Sequence, residues 1–291
     1  MRVLVTGAAG FLGTHIAGML SAEWHDVTGF DRVVPRDAQG RWIEGDLRDP
    51  DAVFDACAGQ DVVCHIGAIG DVYLAAEKPG LAAEVNVTGS AHVAAAALRG
   101  ECRVVYASTW EVYGDPAYEP IDENHPCNPD HPYSITKLAG ERMLLAADRL
   151  QGLPVLALRL GTAYGPGLRP NSVLRIFIDR ARAGESITVQ GDGSQGRQFT
   201  HTSDIARAFS MACVSDVHGR ALNIVASETV SIKELAEAIV ARYPTELTFG
   251  PPRPGDVSSA LVSAQAADHL LRWRPEVPFS VGLAELMDRL D

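Results

Sequence analysis

A short apolar run at residues 2–6 passes directly into Thr6-Gly7-Ala8-Ala9-Gly10-Phe11-Leu12-Gly13, and a helix-compatible stretch follows to residue 22. Strand, glycine turn and helix in that order constrain the fold strongly. Glycines at this corner allow a tight turn, let the backbone approach a pyrophosphate, and let the helix pack close to the strand. The anion then rests on the helix N-terminus. The spacing Gly7-x-x-Gly10-x-x-Gly13 differs by one residue from Gly-x-Gly-x-x-Gly, and a glycine turn by itself is weak evidence for a dinucleotide.

The rest of the chain strengthens it. Residues 26–31, 40–46, 61–68, 103–108 and 155–160 read as further strands, separated by alanine-rich helical segments near 51–58, 81–98 and 134–150. Near-continuous apolar strands alternating with helices predict a parallel sheet covered on both faces. After residue 166 proline and glycine cluster and the segments shorten. Ser231-Ile232-Lys233-Glu234 has the form of a capping box opening a helix to about residue 242. The expected fold is α/β: a doubly wound parallel-sheet Rossmann domain over 1–165, with a return segment near 198–226, and a smaller α+β substrate cap built mainly from 166–291.

Asp31 ends the second predicted strand, where a carboxylate holds adenosine ribose hydroxyls and repels a 2′-phosphate. NAD is therefore expected over NADP, with Arg32 beside it keeping NADP open; the plainer reading of Asp31 is a strand-end turn former. Tyr133 and Lys137 stand four apart in a helical segment and so share a face. An ammonium near a phenol favours phenolate and makes the tyrosine a proton acceptor. A base beside a redox cofactor predicts hydride chemistry at a carbinol.

Composition narrows the partners. With 25 basic against 37 acidic residues the formal charge is −12, which argues against nucleic acid or an anionic membrane. An anionic ligand must then be met by locally placed arginines and helix N-termini. The five cysteines, Cys57, Cys64, Cys102, Cys127 and Cys213, show no Cys-x-x-Cys spacing and read as reduced thiols, not a zinc site. No apolar run approaches the ~20 residues of a membrane span, and residues 2–6 read as a strand, not a signal peptide. A cytoplasmic protein is expected.

Taken together, these residues resemble the extended short-chain dehydrogenase/reductase family, the NAD-dependent epimerase/dehydratase group acting on nucleotide sugars. The resemblance spans essentially the whole chain. Thr6–Gly13 matches the glycine motif, and Gly45-Asp46-Leu47 the segment that lies against adenine. His65-Ile66-Gly67-Ala68 matches the fourth-strand motif and Asn86-Val87-Thr88-Gly89 the Asn-Val-x-Gly motif. Ser108-Thr109-Trp110-Glu111-Val112-Tyr113-Gly114, Tyr133 with Lys137, and Arg159 with Tyr164–Pro166 follow. In the cap, the stretch from Gly191 to Phe199 and Arg253–Asp256 complete the set.

The resemblance implies cofactor contacts from Gly7, Gly10, Phe11, Leu12, Gly13, Asp31, Arg32, Asp46, Leu47, Ile66, Gly67, Ala68, Asn86 and Ser108. It implies that Thr109 bonds the reacting sugar hydroxyl, that Tyr133 takes its proton, and that Lys137 holds the nicotinamide ribose and lowers the tyrosine pKa. Arg197 and Arg253 would contact the diphosphate, with Trp110, Thr162 and Asp256 also at the substrate. A homodimer through the helices near 81–98 and 134–150 is implied as well.

Three positions depart from the pattern. Sugar 4,6-dehydratases of the family carry Asp-Glu where this chain has Trp110-Glu111, so dehydration lacks its expected proton donor. Trp110 either packs on a sugar or nicotinamide face or fills core; Glu111 is either a base or a hydrogen-bond partner. Thr162 stands where many relatives have an Asn that donates to the phosphate, which implies weaker or differently aimed diphosphate binding; Gln198 replaces the usual acid, with no consequence evident from the sequence. His65 and His201 read as packing or cofactor-edge residues, and Cys127 as a loop residue. The expected activity is NAD-dependent nucleotide-sugar epimerisation at C4. Still open are a 4-ketoreductase, a Glu111-dependent decarboxylase or dehydratase, and a non-catalytic NAD-binding regulator.

Overall fold

Seven parallel strands form the central sheet. A computed structural model describes residues 1–252 and 261–291. The first six strands are β1 (Arg2–Thr6), β2 (Asp26–Asp31), β3 (Arg41–Glu44), β4 (Val62–His65), β5 (Arg103–Thr109) and β6 (Val155–Leu160); the strand Arg220–Ile224 completes the sheet beside β6. In space the order runs Arg220–Ile224, β6, β5, β4, β1, β2, β3. The chain steps outward from β1 on one side, then restarts at β4 on the other. That reversal between β1 and β4 opens a crevice at their carboxyl ends, where ligands of doubly wound sheets bind.

Period-two alternation explains why both faces are covered. Leu4, Val63, Val104 and Tyr106 point to one face and pack with Ala97 and Leu144. Val3, Val5, Cys64 and Val105 point to the other and pack with Ile16, Leu20 and Phe209. The first face is covered by α2 (Pro50–Cys57), α5 (Gly89–Gly100) and α6 (Pro132–Gln151), the second by α1 (Phe11–Ala22) and α8 (Thr202–Val214). Local signals set the helix ends. Asp49 caps α2 ahead of Pro50, and α6 opens on His131-Pro132 and stops at Gly152, whose φ of +74° an L side chain rarely adopts.

The expected single helix over 81–98 is instead broken into pieces. Between β4 and β5 lie α3 (Val72–Glu77), α4 (Pro79–Ala83) and a π-helical turn at Glu84–Thr88 before α5 begins. Pro79 lacks an N–H and cannot continue α3. The π turn carries Asn86 inward, where its side chain bonds backbone outside the helix, a competition that favours a widened turn.

Beyond β6 a second apolar core gathers Phe177, Ile178, Phe199, Leu235, Ile239 and Leu283. It is built from α7 (Val173–Arg182), α9 (Ile232–Arg242), the terminal helix Phe279–Leu290 and short paired strands. The capping box at Ser231 and Glu234 forms in both directions, with bonds of 3.0 and 2.8 Å. Among the described residues no helix is long and apolar enough to cross a membrane.

Candidate active site

A cleft of about 840 Å³ opens at the carboxyl ends of β1, β4 and β5. Gly7 adopts φ +69°, and a Cβ there would stand 2.6 Å from the Gly67 Cα; a Cβ on Gly13 would stand 2.0 Å from the Gly7 carbonyl oxygen. Only glycine lets β1, α1 and the loop after β4 approach this closely. Gly10 caps α1 without any side-chain bond, so its first-turn amides are uncapped by side chains where Gly10, Phe11, Leu12 and Gly13 line the cleft. An anion fits that end. Asp31 lies on the same wall, accepting from the Ala9 N–H at 3.0 Å and the Arg32 N–H at 2.7 Å. With Arg32, Asp46, Leu47, Ile66, Gly67 and Ala68 also lining the cleft, the residues present suit a dinucleotide.

Asn86, expected at the cofactor, and His65, read as a packing or cofactor-edge residue, both bond within the protein. Asn86 does not line the cleft: its Oδ1 accepts from the Ile69 N–H at 2.7 Å, and its Nδ2 donates to Thr136 Oγ1 at 2.9 Å. It ties the loop after β4 to α6, because a fully buried amide must spend its polar atoms on neighbours. His65 is likewise internal. Its ring joins Thr6 Oγ1 (2.8 Å) and Ser90 Oγ (3.1 Å), and burial holds it neutral, its pKa lowered to about 3.

Thr109, Trp110, Glu111, Tyr133 and Lys137 meet at the other end of the cleft, where Ser108 and Thr162 also line it. Thr109 ends β5 and caps the short turn Trp110–Tyr113, accepting from the Glu111 N–H at 3.3 Å. Tyr133 opens α6, and Lys137 follows one turn later with Nζ 4.2 Å above the Tyr106 ring. The ionisation of the pair differs from the expected one. Burial pushes the Tyr133 phenol up from its ordinary value, the Glu111 charge adds to this, and the Thr109 hydroxyl and Arg169 oppose it. Burial also brings Lys137 down to about 7, against the pull of Glu141. Removing water penalises phenolate and ammonium alike, and desolvation is the leading cause of both shifts. Glu111 shares this setting and is raised to about 7, first by burial.

Behind this group sits a network that the sequence reading did not single out. Glu141, one helical turn past Lys137, accepts from Arg159 Nη2 (2.6 Å), Arg159 Nε (3.1 Å) and Ser108 Oγ (2.6 Å). Arg159 Nη1 also donates to the Tyr113 hydroxyl at 2.8 Å, which donates onward to Asn223 Oδ1 at 2.7 Å. Glu141 extends the four-residue spacing of Tyr133 and Lys137, and that spacing was the available signal.

Arg197 lies off the main cleft, lining a small adjoining crevice with Trp110 and Gln198, and its charge reaches Glu111. Gln198 now has a role. Its amide donates to the Ala226 and Val262 carbonyls at 2.6 and 3.0 Å, and accepts from the Val262 N–H at 2.8 Å. A carboxylate could accept but not donate. Arg169, missed in the sequence, lines the main cleft; it stands in the Gly-Pro-rich loop after residue 164. Arg253 and Asp256 fall outside the described residues. Among the described residues no group of histidine, cysteine and carboxylate side chains is arranged to hold a metal.

The model of the NAD dependent epimerase/dehydratase family matches residues 3–225. The UDP-glucose 4-epimerase of Mycolicibacterium smegmatis is 32% identical over 306 residues, covering 99% of this chain and 98% of that protein. The UDP-N-acetyl-alpha-D-glucosaminuronate decarboxylase of Bacillus cytotoxicus is 34% identical over 254 residues, 82% of this chain and 79% of that one. Among solved structures, MoeE5 in complex with UDP-glucose and NAD superimposes with a TM-score of 0.91 at 33% identity, covering 99% of this chain and 98% of that chain. MoeE5 is also solved in complex with UDP-glucuronic acid and NAD.

Proposed function

The chain belongs to the NAD-dependent epimerase/dehydratase family, and on that premise we propose that it is an NAD-dependent nucleotide-sugar epimerase acting at C4. The observation that carries the reading is the meeting of Thr109, Tyr133 and Lys137 in one cleft with the glycine turn, while Trp110 supplies no acid beside Glu111. Bound NAD would supply the acceptor for the C4 hydride and the donor for its return. Thr109 Oγ1 orients the C4 hydroxyl, the Tyr133 oxygen takes its proton, and Lys137 holds the ribose side of the site. Once the 4-keto sugar has rotated, the hydride would re-add to the opposite face of C4 while Tyr133 returns the proton to the C4 oxygen. Thr109 sits at the strand end and Tyr133 at a capped helix start, so both reacting groups ride on rigid elements.

The same reading divides the chain into a cofactor domain over 1–165 with the return segment 198–226, and a substrate cap. It also includes a homodimer in the cytoplasm; the exposed Ile135 and Met143 on α6 suit a partner helix. The relatives handle both neutral and acidic sugars, so the sugar class must be set by side chains at the far end of the cleft.

Incubating the purified, NAD-loaded protein with a panel of UDP-, GDP-, CDP- and dTDP-sugars tests the reaction. One pair of C4 epimers interconverting is the expected result, and no epimer pair from any member would sink the proposal. Glu111 supports a second reading, a lyase step at the keto sugar, because burial keeps its carboxyl poised at about 7 as a proton carrier. Glu111→Gln with unchanged turnover eliminates that role.

A further inference from the structure

We propose that Tyr106 is a positioning residue for Lys137, its ring face holding the ammonium in place and in its charged form behind the cleft wall. The proposal deepens the nucleotide-sugar reading above and rests on it for the role of Lys137.

Lys137 lines the cleft yet is only 3% exposed. Among the described residues no carboxylate comes within ion-pair distance of Nζ. Glu141, the acid one turn on, has its oxygens taken by Arg159 and Ser108. What Nζ meets is Tyr106, with the ring centroid 4.2 Å away. The face of an aromatic ring is its negative side and attracts a cation, more strongly where water is excluded. Tyr106 lies in β5 and is wholly buried, and its hydroxyl donates to the Lys137 carbonyl at 3.2 Å. One side chain thus holds both the backbone and the tip of the lysine. Gly140 allows α6 to come this close, since a Cβ there would stand 2.8 Å from the Tyr106 hydroxyl oxygen.

The other charges nearby give the ammonium little support. Burial brings Lys137 down to about 7, with Glu141 opposing, and Glu141 is itself matched by Arg159 on β6 at 2.6 Å. His65 on β4, its ring 5.4 Å from that of Tyr106, is neutral and neither holds nor repels a cation. Burial keeps the Tyr106 and Tyr133 phenols un-ionised, so Tyr106 attracts through its face and not as a phenolate. The remaining acid, Glu111, acts on Tyr133 and is raised to about 7. A neutral amine would lose a donor proton and would no longer favour the Tyr133 phenolate. The ring face therefore guards both tasks of Lys137.

The sequence holds three lysines, and the side chains of Lys78 and Lys233 are 55% and 52% exposed. In the NAD-loaded protein, carbon-labelled at the lysine ε position, NMR should show one signal titrating well below the other two. Tyr106→Leu should lower the Lys137 midpoint by roughly 0.5–1 pH unit, the size of a desolvated cation–ring contact, and Tyr106→Phe should keep the wild-type value. A second comparison does not depend on Tyr106→Leu folding. Tyr106→Phe made with a trifluorinated phenylalanine keeps the ring shape but weakens its negative face, and Lys137 should titrate lower there than in plain Tyr106→Phe. A midpoint unmoved or raised in Tyr106→Leu, or unmoved by fluorination, overturns the proposal. So does an equal fall in Tyr106→Phe and Tyr106→Leu, which would assign the effect to the hydroxyl. The alkaline limb of epimerisation should fall together with the Lys137 midpoint. A shifted titration without epimerisation of any sugar keeps the role of Tyr106 and removes the C4-epimerase reading; epimerisation with an unmoved titration does the reverse.

Discussion

Glu141 grips Arg159 through two bonds, Nη2 to Oε1 at 2.6 Å and Nε to Oε2 at 3.1 Å, with both side chains buried. The pair joins α6 to β6, and the Ser108 hydroxyl adds β5 to the same carboxylate. It therefore braces the helix that carries Tyr133 and Lys137 against the strand that ends in Thr109.

Breaking this pair should be expensive. Glu141→Gln leaves the Arg159 charge buried and uncompensated, and should cost about 3–5 kcal/mol, read from urea unfolding. The double variant Glu141→Gln/Arg159→Met should recover much of that loss, because an apolar replacement no longer strands a charge. A single variant as stable as wild type would show that the network does not brace the site.

Replacing the phenol isolates its chemical role. Tyr133→Phe keeps the ring packed and should lower turnover by roughly 10²–10⁴-fold, the range of a general acid/base. Cofactor retention, measured by fluorescence of the reduced dinucleotide, should persist. Undiminished turnover would remove Tyr133 from the reaction.

The Glu111 carboxyl produces a defined pH window. Burial raises it from 4.5 to about 7, so between those values the native protein holds a proton that the unfolded chain has released. Its contribution to stability is complete below 4.5 and is lost as the pH rises through about 7. In Glu111→Gln that decline should be shallower, seen in melting temperatures collected across the window. Parallel profiles for variant and wild type would refute it.

Asp31 should decide between cofactors. Its carboxylate is locked by the Ala9 and Arg32 amides on the cleft wall, where a 2′-phosphate would meet a like charge at close range. NADH should bind more tightly than NADPH, and Asp31→Ala should narrow the gap. Tighter NADPH binding by wild type would reverse the assignment.

The parallel sheet was legible because its signals are local. The period-two burial of Val3, Leu4 and Val5, the glycine turn and the proline-led start of α6 each act within a few residues. The broken helix after β4 was not legible. Its π turn exists because Asn86 bonds Ile69 and Thr136, residues far from it in sequence. The function of Gln198 was hidden for the same reason, since its partners lie at Ala226 and Val262.

What the amino-acid order alone determined was the strand–glycine–helix corner, the alternation that builds a doubly wound sheet, and the shared face of Tyr133 and Lys137. All of these follow from backbone sterics and periodicity. Tertiary structure alone decided how those side chains ionise and which arginines line the main cleft. Burial raises the Tyr133 pKa where lowering was expected and sets Lys137 and Glu111 both near 7, while the folded chain lines the main cleft with Arg169 and a small adjoining crevice with Arg197. Desolvation depends on every neighbour that excludes water, and those neighbours come from all along the chain.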